Sequence, residues 1–438
     1  MKVLKFGGTS VGSPQRMKDV AKLITDGERK IVVLSAMSGT TNTLVEISDY
    51  LHKKNPDGAN EVINRLENKY KQHINELFST EEYRQKGMEL LKVRFELLRS
   101  YTKDLFTLFE ERIVLAQGEL LSTTMVNYYL QEQGVKSVLL PALDFMRTDK
   151  NAEPDLPYIK ERLAQQLEAN PDAEIYITQG FICRNAYGEV DNLQRGGSDY
   201  SAPLIGAAVK ADEIQIWTDI DGMHNNDPRI VDKTSPVRHL HFEEAAELAY
   251  FGAKILHPTC IQPAKYANIP VRLLNTMDPK AEGTMISNET EKGKIKAVAA
   301  KENITAIKIK SSRMLLAHGF LRKVFEIFEK YQTSIDMICT SEVGVSVSID
   351  NTKHLNEILD ELRKYGTVTV DYNMCIICVV GDLEWENVGF EAKALDAMRD
   401  IPVRMISFGG SNYNISFLVR ECDKKAALQS LSDQLFNN

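Results

Sequence analysis

The chain has 438 residues, of which 43% are hydrophobic and 26% charged, the balance of a globular protein with a sizeable core. This length exceeds what one hydrophobic core usually supports, so the sequence predicts two or three domains. Its 53 basic and 61 acidic residues give a formal net charge of −8. That is the wrong sign for a protein whose main task is to coat nucleic acid or an anionic membrane.

Apolar runs in the sequence are too short to cross a bilayer, and the start, MKVLKFGG, leads into a strand-like run instead of a signal peptide. We therefore expect a cytoplasmic protein. The six cysteines are scattered along the chain, which is a poor disulfide framework. Cys375 and Cys378 form C-x-x-C, but strand alternation would put their thiols on opposite faces of a sheet. We interpret them as buried strand cysteines.

Up to about residue 286, short apolar runs alternate with helical patterns, which predicts a mostly parallel sheet covered by helices. The predicted strands are 3–6, 31–34, 137–140, 174–178, 213–218 and 271–274. A charged segment at about 57–127 predicts a packed helical insertion. Its apolar stripe has helical spacing, which predicts one continuous helix face, at Leu91, Phe95, Leu98, Tyr101, Leu105 and Leu108.

A polar stretch at 287–296 predicts a domain boundary. Beyond it the predicted order is helix 318–331, strands within 334–349, helix 352–365, strand 367–380, helix 387–400, strands within 403–420 and helix 423–436. A shift of 68 residues superimposes Met337 and Ile338 on Met405 and Ile406. The pattern therefore predicts two copies of a small α+β unit.

A glycine turn follows the first predicted strand. It contains Lys5, Gly7 and Gly8, and a helix is predicted to begin after Ser13 as N-cap, with Pro14 at its first position. Glycines between a strand and a helix let backbone N–H groups approach phosphate oxygens, and a nearby lysine adds positive charge. The spacing is neither Walker A nor G-x-G-x-x-G. Phosphate binding and a plain tight turn both remain open.

A second glycine turn, at residues 195–199, precedes a predicted helix at 200–210. Ser198 or Asp199 would be a natural N-cap for that helix. Arg195 offers the paired planar donors with which proteins hold a carboxylate. A structural turn and a carboxylate site both remain open here.

A third cluster follows the predicted strand 213–218. Its alternating acidic residues suggest a calcium loop, but Met223 stands at the third ligand position and the closing Glu is absent. Ligand contacts at the carboxyl end of a parallel strand are the better interpretation. Lys254 ends a further predicted helix, whose dipole it could simply complement. His239 and His241 lack a third ligand for zinc, and we predict no metal ligand from the protein.

Seven motifs in order along the chain resemble the aspartate kinase family. They are KFGGTSV at 5–11, QGELLS at 117–122, TQGF at 178–181, LQRGGSDYSA at 193–202, WTDIDG at 217–222, NDPR at 226–229 and FGAKILHP at 251–258. The segment 334–350 resembles the first of two ACT-type regulatory domains in that family. The resemblance covers essentially the whole chain and is strongest to the single-function, lysine-sensitive type, so we expect no homoserine dehydrogenase half.

The resemblance implies an α/β fold, a three-layer amino-acid kinase sandwich with a mostly parallel sheet, followed by two α+β, ferredoxin-like ACT domains. It implies a catalytic domain at 1–290 with the insertion at 57–127, and a regulatory region at 300–438. The first ACT domain would span 312–370, and the second 371–438 plus the strand 303–310. The implied reaction transfers the γ-phosphoryl group of ATP, with Mg²⁺, to the β-carboxylate of L-aspartate. This is the entry step to lysine, threonine and methionine.

By motif match, Lys5 would stabilise charge on the transferring phosphoryl group, Asp199 would orient Lys5, and Lys254 would neutralise nucleotide phosphates. His224 stands where the family usually has tyrosine. The implied substrate-binding residues are Ser35, Thr41, Glu119, Arg195 and Ser198. The implied nucleotide-binding residues are Gly7, Gly8, Thr218, Asp219, His224, Arg229 and Lys254.

The resemblance also implies a homodimer or tetramer formed through the ACT domains, with an amino-acid effector, expected to be lysine, at their interface. Leu316 and Ala317 replace a His and a Ser common in the lysine-sensitive type, which leaves the effector open. Two alternatives remain: a kinase of another small carboxylate such as glutamate, and a non-catalytic amino-acid sensor. The candidate effector contacts are Met314, Leu321, Ile335, Asp336, Thr340, Ser341 and Glu342.

Overall fold

The chain divides into two compact units. The first consists of Met1–Met223 and a return segment that ends at Asn288, and the second of a segment that begins at His224 and of the chain from Glu289 onward. Among the described helices, none combines the length and the apolarity needed to cross a bilayer. The computed structural model of the chain describes residues 1–193, 197–252, 258–311 and 318–436.

The six strands predicted up to residue 286 are present as β1, β2, β3, β4, β7 and β11, and short strands that the sequence does not predict lie between and after them. In chain order the strands are β1 (Lys2–Phe6), β2 (Lys30–Leu34), β3 (Ser137–Leu140), β4 (Ile175–Gln179), β5 (Ile182–Arg184), β6 (Val190–Asn192), β7 (Ile214–Thr218), β8 (Met223–His224), β9 (Pro236–Val237), β10 (His239–His241), β11 (Val271–Asn275), β12 (Thr284–Ser287), β13 (Ile295–Lys310), β14 (Ile338–Thr340), β15 (Gly344–Ile349), β16 (Thr367–Gly381), β17 (Val403–Ser407) and β18 (Asn414–Arg420).

The helices are numbered in chain order as well. They are α1 (Pro14–Ile24), α2 (Thr40–His52), α3 (Pro56–Leu77), α4 (Glu81–Ser100), α5 (Leu108–Glu132), α6 (Ala142–Phe145), α7 (Leu156–Glu168), α8 (Ser198–Val209), α9 (Phe242–Tyr250), α10 (Gln262–Tyr266), α11 (Phe320–Lys330), α12 (Leu355–Leu362), α13 (Phe390–Ala397) and α14 (Lys424–Leu435). Short 3₁₀ turns span Pro258–Ile261 and Glu421–Asp423.

The sheet of the first unit confirms the predicted parallel arrangement. Its strands run in the order β12-β11-β7-β1-β2-β4-β3. β12 joins β11 antiparallel, and the other neighbouring pairs are parallel. β1 lies between β2 and β7, with Lys5 opposite Val33 and Ile216. The loops that follow β1, β2, β4 and β7 therefore open at the same edge, where ligands bind in open α/β sheets.

The helix starts agree with the sequence at one glycine turn and correct it at the other. Ser13 caps α1 by accepting a hydrogen bond from the Arg16 amide, with Pro14 at the first position. At α8 the N-cap is Gly197 and not Ser198 or Asp199. Gly197 has φ +52°, a conformation that glycine adopts without strain, and it turns the chain so that Ser198 and Asp199 fall in the first helical turn.

The segment predicted as a helical insertion contains the three helices α3, α4 and α5, but the prediction of one continuous apolar helix face is wrong. α4 ends at Ser100, and α5 begins after a capping box in which the Thr107 amide donates to the Glu110 carboxylate. The box starts a new helix and breaks the stripe. Leu105 is 78% and Leu108 67% exposed, so these two leucines do not continue the buried face of α4.

The sheet of the second unit confirms two copies of an α+β unit. It is antiparallel, in the order β14-β15-β13-β16-β18-β17, with the long strands β13 and β16 paired along most of their length. One hydrophobic cluster joins α11 and α12 to β13 and β15, and another joins α13 and α14 to β16 and β18. Cys375 packs in the second cluster, while Cys378, three residues along β16, is buried outside it. Both are free thiols.

Close packing of α8 on the sheet gives a test of the fold. A Cβ at Gly206 would lie 2.5 Å from the Cδ1 of Ile214 on β7, so Gly206→Val forces the helix away from the sheet. We expect a loss of unfolding free energy of about 1–3 kcal/mol or more. Ala207→Val, at a partly exposed position of the same helix, is the matched control. Equal urea midpoints for the two variants would contradict this packing.

Candidate active site

The carboxyl end of β1 carries a buried cation. Lys5 is 7% exposed, and its Nζ lies 2.5 Å from Oδ1 of Asp199, in the first turn of α8. A Cβ on Gly7 would lie 3.5 Å from the same Nζ, so this residue crowds the ammonium least as glycine. The fold thus brings together Lys5 and Asp199, which sequence analysis connects only through the resemblance.

The glycine turn after β1 is tightly held by its neighbours. The Gly7 amide donates to the Trp217 carbonyl (3.4 Å), and the Gly8 carbonyl accepts from the Ser38 amide (3.1 Å). A Cβ on Gly8 would lie 2.8 Å from the Ala36 carbonyl oxygen, so a larger residue would push the loops apart. Among described residues none accepts a hydrogen bond from the Gly8 amide. The turn therefore combines a structural constraint at Gly7 with an available donor at Gly8.

The loop after β2 lines a cleft of about 340 Å³. The Ser35 amide donates to the Phe6 carbonyl (3.2 Å), and the Ser122 hydroxyl donates to the Ser35 carbonyl (2.7 Å). Below the loop, the hydroxyls of Thr40 and Tyr70 lie 2.9 Å apart, and both side chains are buried. The loop is thus fastened to β1, to α5 and to α3. The cleft is lined by Gly8, Ser35, Ala36, Met37, Ser38, Gly39, Thr41, Asn42, Glu119, Phe181, Gly197 and Ser198.

Glu119 supplies the buried carboxylate of this cleft. It is 3% exposed, and its Oε1 accepts a hydrogen bond from the Ala36 amide (3.2 Å). Its Oε2 is buried and has no partner in the described part of the chain. Burial raises the pKa of Glu119 to about 7, because the charged form loses its hydration. An ammonium group in the cleft would provide the missing donor and favour the charged carboxylate.

Phe181 is a lining residue that the sequence analysis does not single out. It adopts φ +68° although it is not glycine, a conformation that is costly and often found at functional sites. Its amide donates to the Ser201 hydroxyl (2.9 Å). The preceding Gly180 lies so close to α8 that a Cβ there would approach the Ser198 Cβ to 2.5 Å. The motif TQGF at 178–181 contains Phe181, and the glycine just after a buried strand is the local signal for a close approach.

The substrate candidates Ser35, Thr41, Glu119 and Ser198 therefore share one cleft. Arg195, the fifth of them, lies outside the described residues, as does the catalytic candidate Lys254.

The nucleotide candidates after β7 fall in both units. In the first unit, the Thr218 carbonyl accepts from the Thr276 amide (2.8 Å), and Asp219 is exposed. In the second unit, His224 Nδ1 lies 2.9 Å from the Thr234 hydroxyl. Arg229 makes a two-point ion pair with Asp227, at 2.9 and 2.7 Å, and is largely exposed.

The prediction that the protein supplies no metal ligand concerns clusters of side chains that could coordinate an ion. Across residues 1–193, 197–252, 258–311 and 318–436, no three or more His, Cys, Asp or Glu side chains are grouped to hold a metal ion. In the segment that the sequence likens to a calcium loop, the Asp221 carboxylate accepts a hydrogen bond from the Gly283 amide (3.1 Å). That oxygen has a structural role in joining two loops.

The effector candidates differ widely in environment. Met314 lies outside the described residues. Leu321 is partly exposed on α11, and Ile335 packs against the hydrophobic cluster that joins α11 and α12 to β13 and β15. The other three candidates are exposed, namely Thr340, Ser341 and Glu342. The Asp336 side chain is 1% exposed and pairs with Lys301 at 2.7 Å. Asp336 is therefore a buried carboxylate with an ionic partner and not a solvated loop charge.

Comparison with known proteins agrees with this geometry. The amino acid kinase family model matches residues 1–275, and an ACT domain model matches residues 377–435. Aspartokinase 1, chloroplastic, of Arabidopsis thaliana is 34% identical, with 100% of this chain and 80% of that protein covered. Lysine-sensitive aspartokinase 3 of Escherichia coli is 33% identical, with 99% of each covered. The crystal structure of E. coli aspartokinase III in complex with aspartate and ADP has a TM-score of 0.84 at 32% identity, covering 100% of both chains.

The parallel sheet, the buried Lys5 at its ligand-binding edge and the match over residues 1–275 define the class of protein as an amino acid kinase. The similarity over the full length then narrows the class, and the chain belongs to the aspartokinases of this family. The predicted fold class, a kinase sandwich followed by ACT-type α+β units, is confirmed.

The environment of Glu119 predicts an unusual titration. We expect this side chain to be neutral below about pH 7 and charged above it, because burial raises the pKa of a carboxyl group. Infrared difference spectra between the wild type and Glu119→Gln, recorded across the pH range, isolate its carboxylic acid band. A midpoint near the ordinary pKa of 4.5 would show that the carboxylate is better solvated than the structure indicates.

Proposed function

We infer that this chain is an aspartate kinase, which transfers the γ-phosphoryl group of ATP to the β-carboxylate of L-aspartate. The observation that carries this inference is a pair of buried charged groups: Lys5 at the carboxyl end of β1, and Glu119, which accepts from the Ala36 amide in the loop after the neighbouring strand β2. Lys5, paired with Asp199, is a cation suited to phosphoryl oxygens, and Glu119, with one oxygen that has no partner among the described residues, is suited to an ammonium group. The full-length similarity to aspartokinases supports the same conclusion.

The cleft supports a binding mode for L-aspartate. Glu119 Oε2 would accept from the substrate ammonium, which would supply the donor that this buried oxygen lacks across residues 1–193, 197–252, 258–311 and 318–436. Ser35, Thr41 and Ser198 line the same cleft and offer hydroxyl groups. Arg195, by its motif, would hold a substrate carboxylate with two parallel hydrogen bonds. Binding of the ammonium would also displace the proton from Glu119, because the two charged groups stabilise each other.

Phosphoryl transfer asks mainly for positioning and for neutralisation of charge. A β-carboxylate oxygen of aspartate attacks the γ-phosphorus, and the bond from that phosphorus to the leaving ADP oxygen breaks, which gives 4-phospho-L-aspartate. Lys5 would stabilise the charge on the moving group, and Asp199 would hold the ammonium in place. The glycine turn supports phosphate binding through the Gly8 amide, while the Gly7 amide is engaged with Trp217.

The remaining nucleotide contacts rest on motif matches. Lys254 would neutralise phosphates, and the residues after β7 would contact the nucleotide, namely Thr218, Asp219, His224 and Arg229. The hydroxyl of Thr234 at His224 and the carboxylate of Asp227 at Arg229 hold these two side chains in defined orientations. Mg²⁺ would arrive with the phosphates of ATP, where it neutralises charge.

The regulatory unit supports feedback control by an amino acid. E. coli carries a relative named as lysine-sensitive, and we propose lysine as the first effector to test. The candidate contacts Leu321, Ile335, Thr340, Ser341 and Glu342 belong to one α+β copy, and Met314 would join them. A homodimer or tetramer formed through the ACT units would place such a site between subunits. We propose the cytoplasm, where ATP is available, as the compartment.

Replacement of Lys5 tests the catalytic assignment. Lys5→Met should lower kcat by roughly two to four orders of magnitude, because charge on the transferring group loses its stabiliser, while aspartate still binds in calorimetry. Lys30→Met is the matched control: Lys30 is also a buried lysine on a central strand, paired with Asp26 at 2.5 Å. Nearly normal turnover in Lys5→Met would reject the role of Lys5.

A hydroxamate assay for the acyl phosphate tests both substrate and effector. We expect product with aspartate and not with glutamate, and inhibition when lysine is added. Threonine and methionine are added in separate titrations. Product with glutamate alone would favour the other small-carboxylate kinase, and absence of product with either acid would favour a non-catalytic sensor. Inhibition by threonine alone would reject lysine as the effector, and no response to any amino acid would reject allosteric control.

A further inference from the structure

A polar cluster around the buried carboxylate of Asp336 joins three elements of the second unit. Asp336 Oδ1 accepts from the Tyr250 hydroxyl (2.8 Å) and pairs with the Lys301 ammonium (2.7 Å). Lys301 also reaches Oδ2 of Asp350 (2.9 Å). Tyr250 is the last residue of α9, Lys301 lies on β13, and Asp336 precedes β14. One carboxylate therefore ties a helix end and a strand to the start of the candidate effector segment 335–342.

The cluster is short of positive charge. It contains one ammonium and two carboxylates, and Asp336 Oδ2 is buried without a partner in the described part of the chain. Burial accordingly raises the pKa of Asp336. The Lys301 ammonium lies 4.4 Å from the centre of the Tyr250 ring, so it contacts the face of this ring. Lys301 and the Tyr250 hydroxyl also share Oδ1 of Asp336 as their partner. Removal of a partner leaves the buried Asp336 carboxylate with fewer hydrogen bonds.

The chain that leaves α9 is fixed to β13 immediately after Tyr250. Gly252 has φ +117°, and a Cβ there would lie 2.2 Å from the Ala300 carbonyl oxygen. Ala300 is the neighbour of Lys301 on β13. The backbone is thus held at two nearby points, through the Tyr250 hydroxyl and through the close approach of Gly252. Lys254, assigned to the nucleotide phosphates, follows two residues later in the chain.

At its other end the cluster is fixed to the effector segment. The Asp336 amide donates to the Ser348 carbonyl (2.9 Å), and the Met337 amide donates to the Ser348 hydroxyl (3.0 Å). These bonds hold the backbone of Asp336 on β15 while its side chain reaches Tyr250. A change at the carboxylate therefore acts directly on the end of α9.

We propose that Tyr250 is a positioning residue for nucleotide binding, and that its bond to Asp336 couples the effector segment to the segment that carries Lys254. The proposal rests on the proposed function of both segments. An effector ammonium that binds Oδ2 of Asp336 draws negative charge away from Oδ1 and weakens the bonds of that oxygen to Lys301 and Tyr250. Release of the phenol loosens the end of α9, and nucleotide affinity falls. By linkage, the nucleotide weakens effector binding by the same factor.

The test compares Tyr250→Phe with Tyr331→Phe in the full-length chain. Tyr250→Phe keeps the ring beneath Lys301 and removes only the bond to Asp336. Tyr331 is a matched control, because its hydroxyl also donates to a carboxylate of the same unit, Glu361, at 2.7 Å. We expect Tyr250→Phe to raise the KM for ATP roughly fivefold or more with the KM for aspartate unchanged, and lysine to change the ATP KM no further. Tyr331→Phe should match the wild type.

Hydrogen exchange keeps the test independent of activity. Amides at the end of α9 and at Gly252 should exchange faster in Tyr250→Phe than in Tyr331→Phe, while amides of β15 stay protected. The proposal would be overturned if Tyr250→Phe had the same ATP kinetics, lysine response and hydrogen exchange as the wild type. A wild-type protein without kinase activity would instead reject the proposed function, and the exchange comparison would still decide whether Tyr250 holds α9. Faster exchange without a change in the ATP KM would limit Tyr250 to a structural role and reject the coupling.

Discussion

The burial of the Lys5 ammonium constrains the rest of the first unit. A buried cation needs a charged partner, and Asp199 can supply it only if α8 begins at the edge of the sheet and packs tightly across it. Gly197 turns the chain into the helix, and Gly206 lets the helix approach β7. The central position of β1 follows from the same requirement, since neighbouring strands on both sides exclude water from the lysine stem.

In and beside the cleft, two charged groups, Lys5 and Glu119, lie in different environments. Lys5 is paired with the carboxylate of Asp199, whereas Glu119 has one oxygen without a partner in the part of the chain that the structure describes, and a pKa raised to about 7. Lys5 already has a carboxylate partner, and Glu119 can still accept a hydrogen bond. Such a site favours a ligand that carries an ammonium group close to the group that accepts the phosphoryl group. The fastening of the loop after β2, through Ser35 and Thr40, holds this arrangement in place before a ligand arrives.

The second unit uses buried charge in a different way. Its two hydrophobic clusters stabilise two similar α+β copies, and repetition alone would make them equivalent. The Tyr250, Lys301 and Asp336 cluster breaks that equivalence, because it joins α9 to the first copy through a carboxylate that has one oxygen without a partner among the residues described. Packed apolar surfaces hold the architecture, and a polar link with incomplete hydrogen bonding can respond to a ligand.

The sequence by itself determined the strands of the parallel sheet, the capped start of α1 and the repeated order of the regulatory elements, because apolar runs, caps and periodicity are local signals. It also failed locally: the stripe through Leu105 and Leu108 crosses a capping box at Thr107, and the N-cap of α8 is Gly197, since spacing does not report backbone direction. Family resemblance, not spacing, named Asp199 as the partner of Lys5. Only the tertiary structure shows that Phe181 lines the cleft in a strained conformation. It alone also shows the hydrogen bond from Tyr250 to Asp336, two residues that are 86 positions apart. Contacts between such distant residues depend on how whole elements pack, and no local pattern records them.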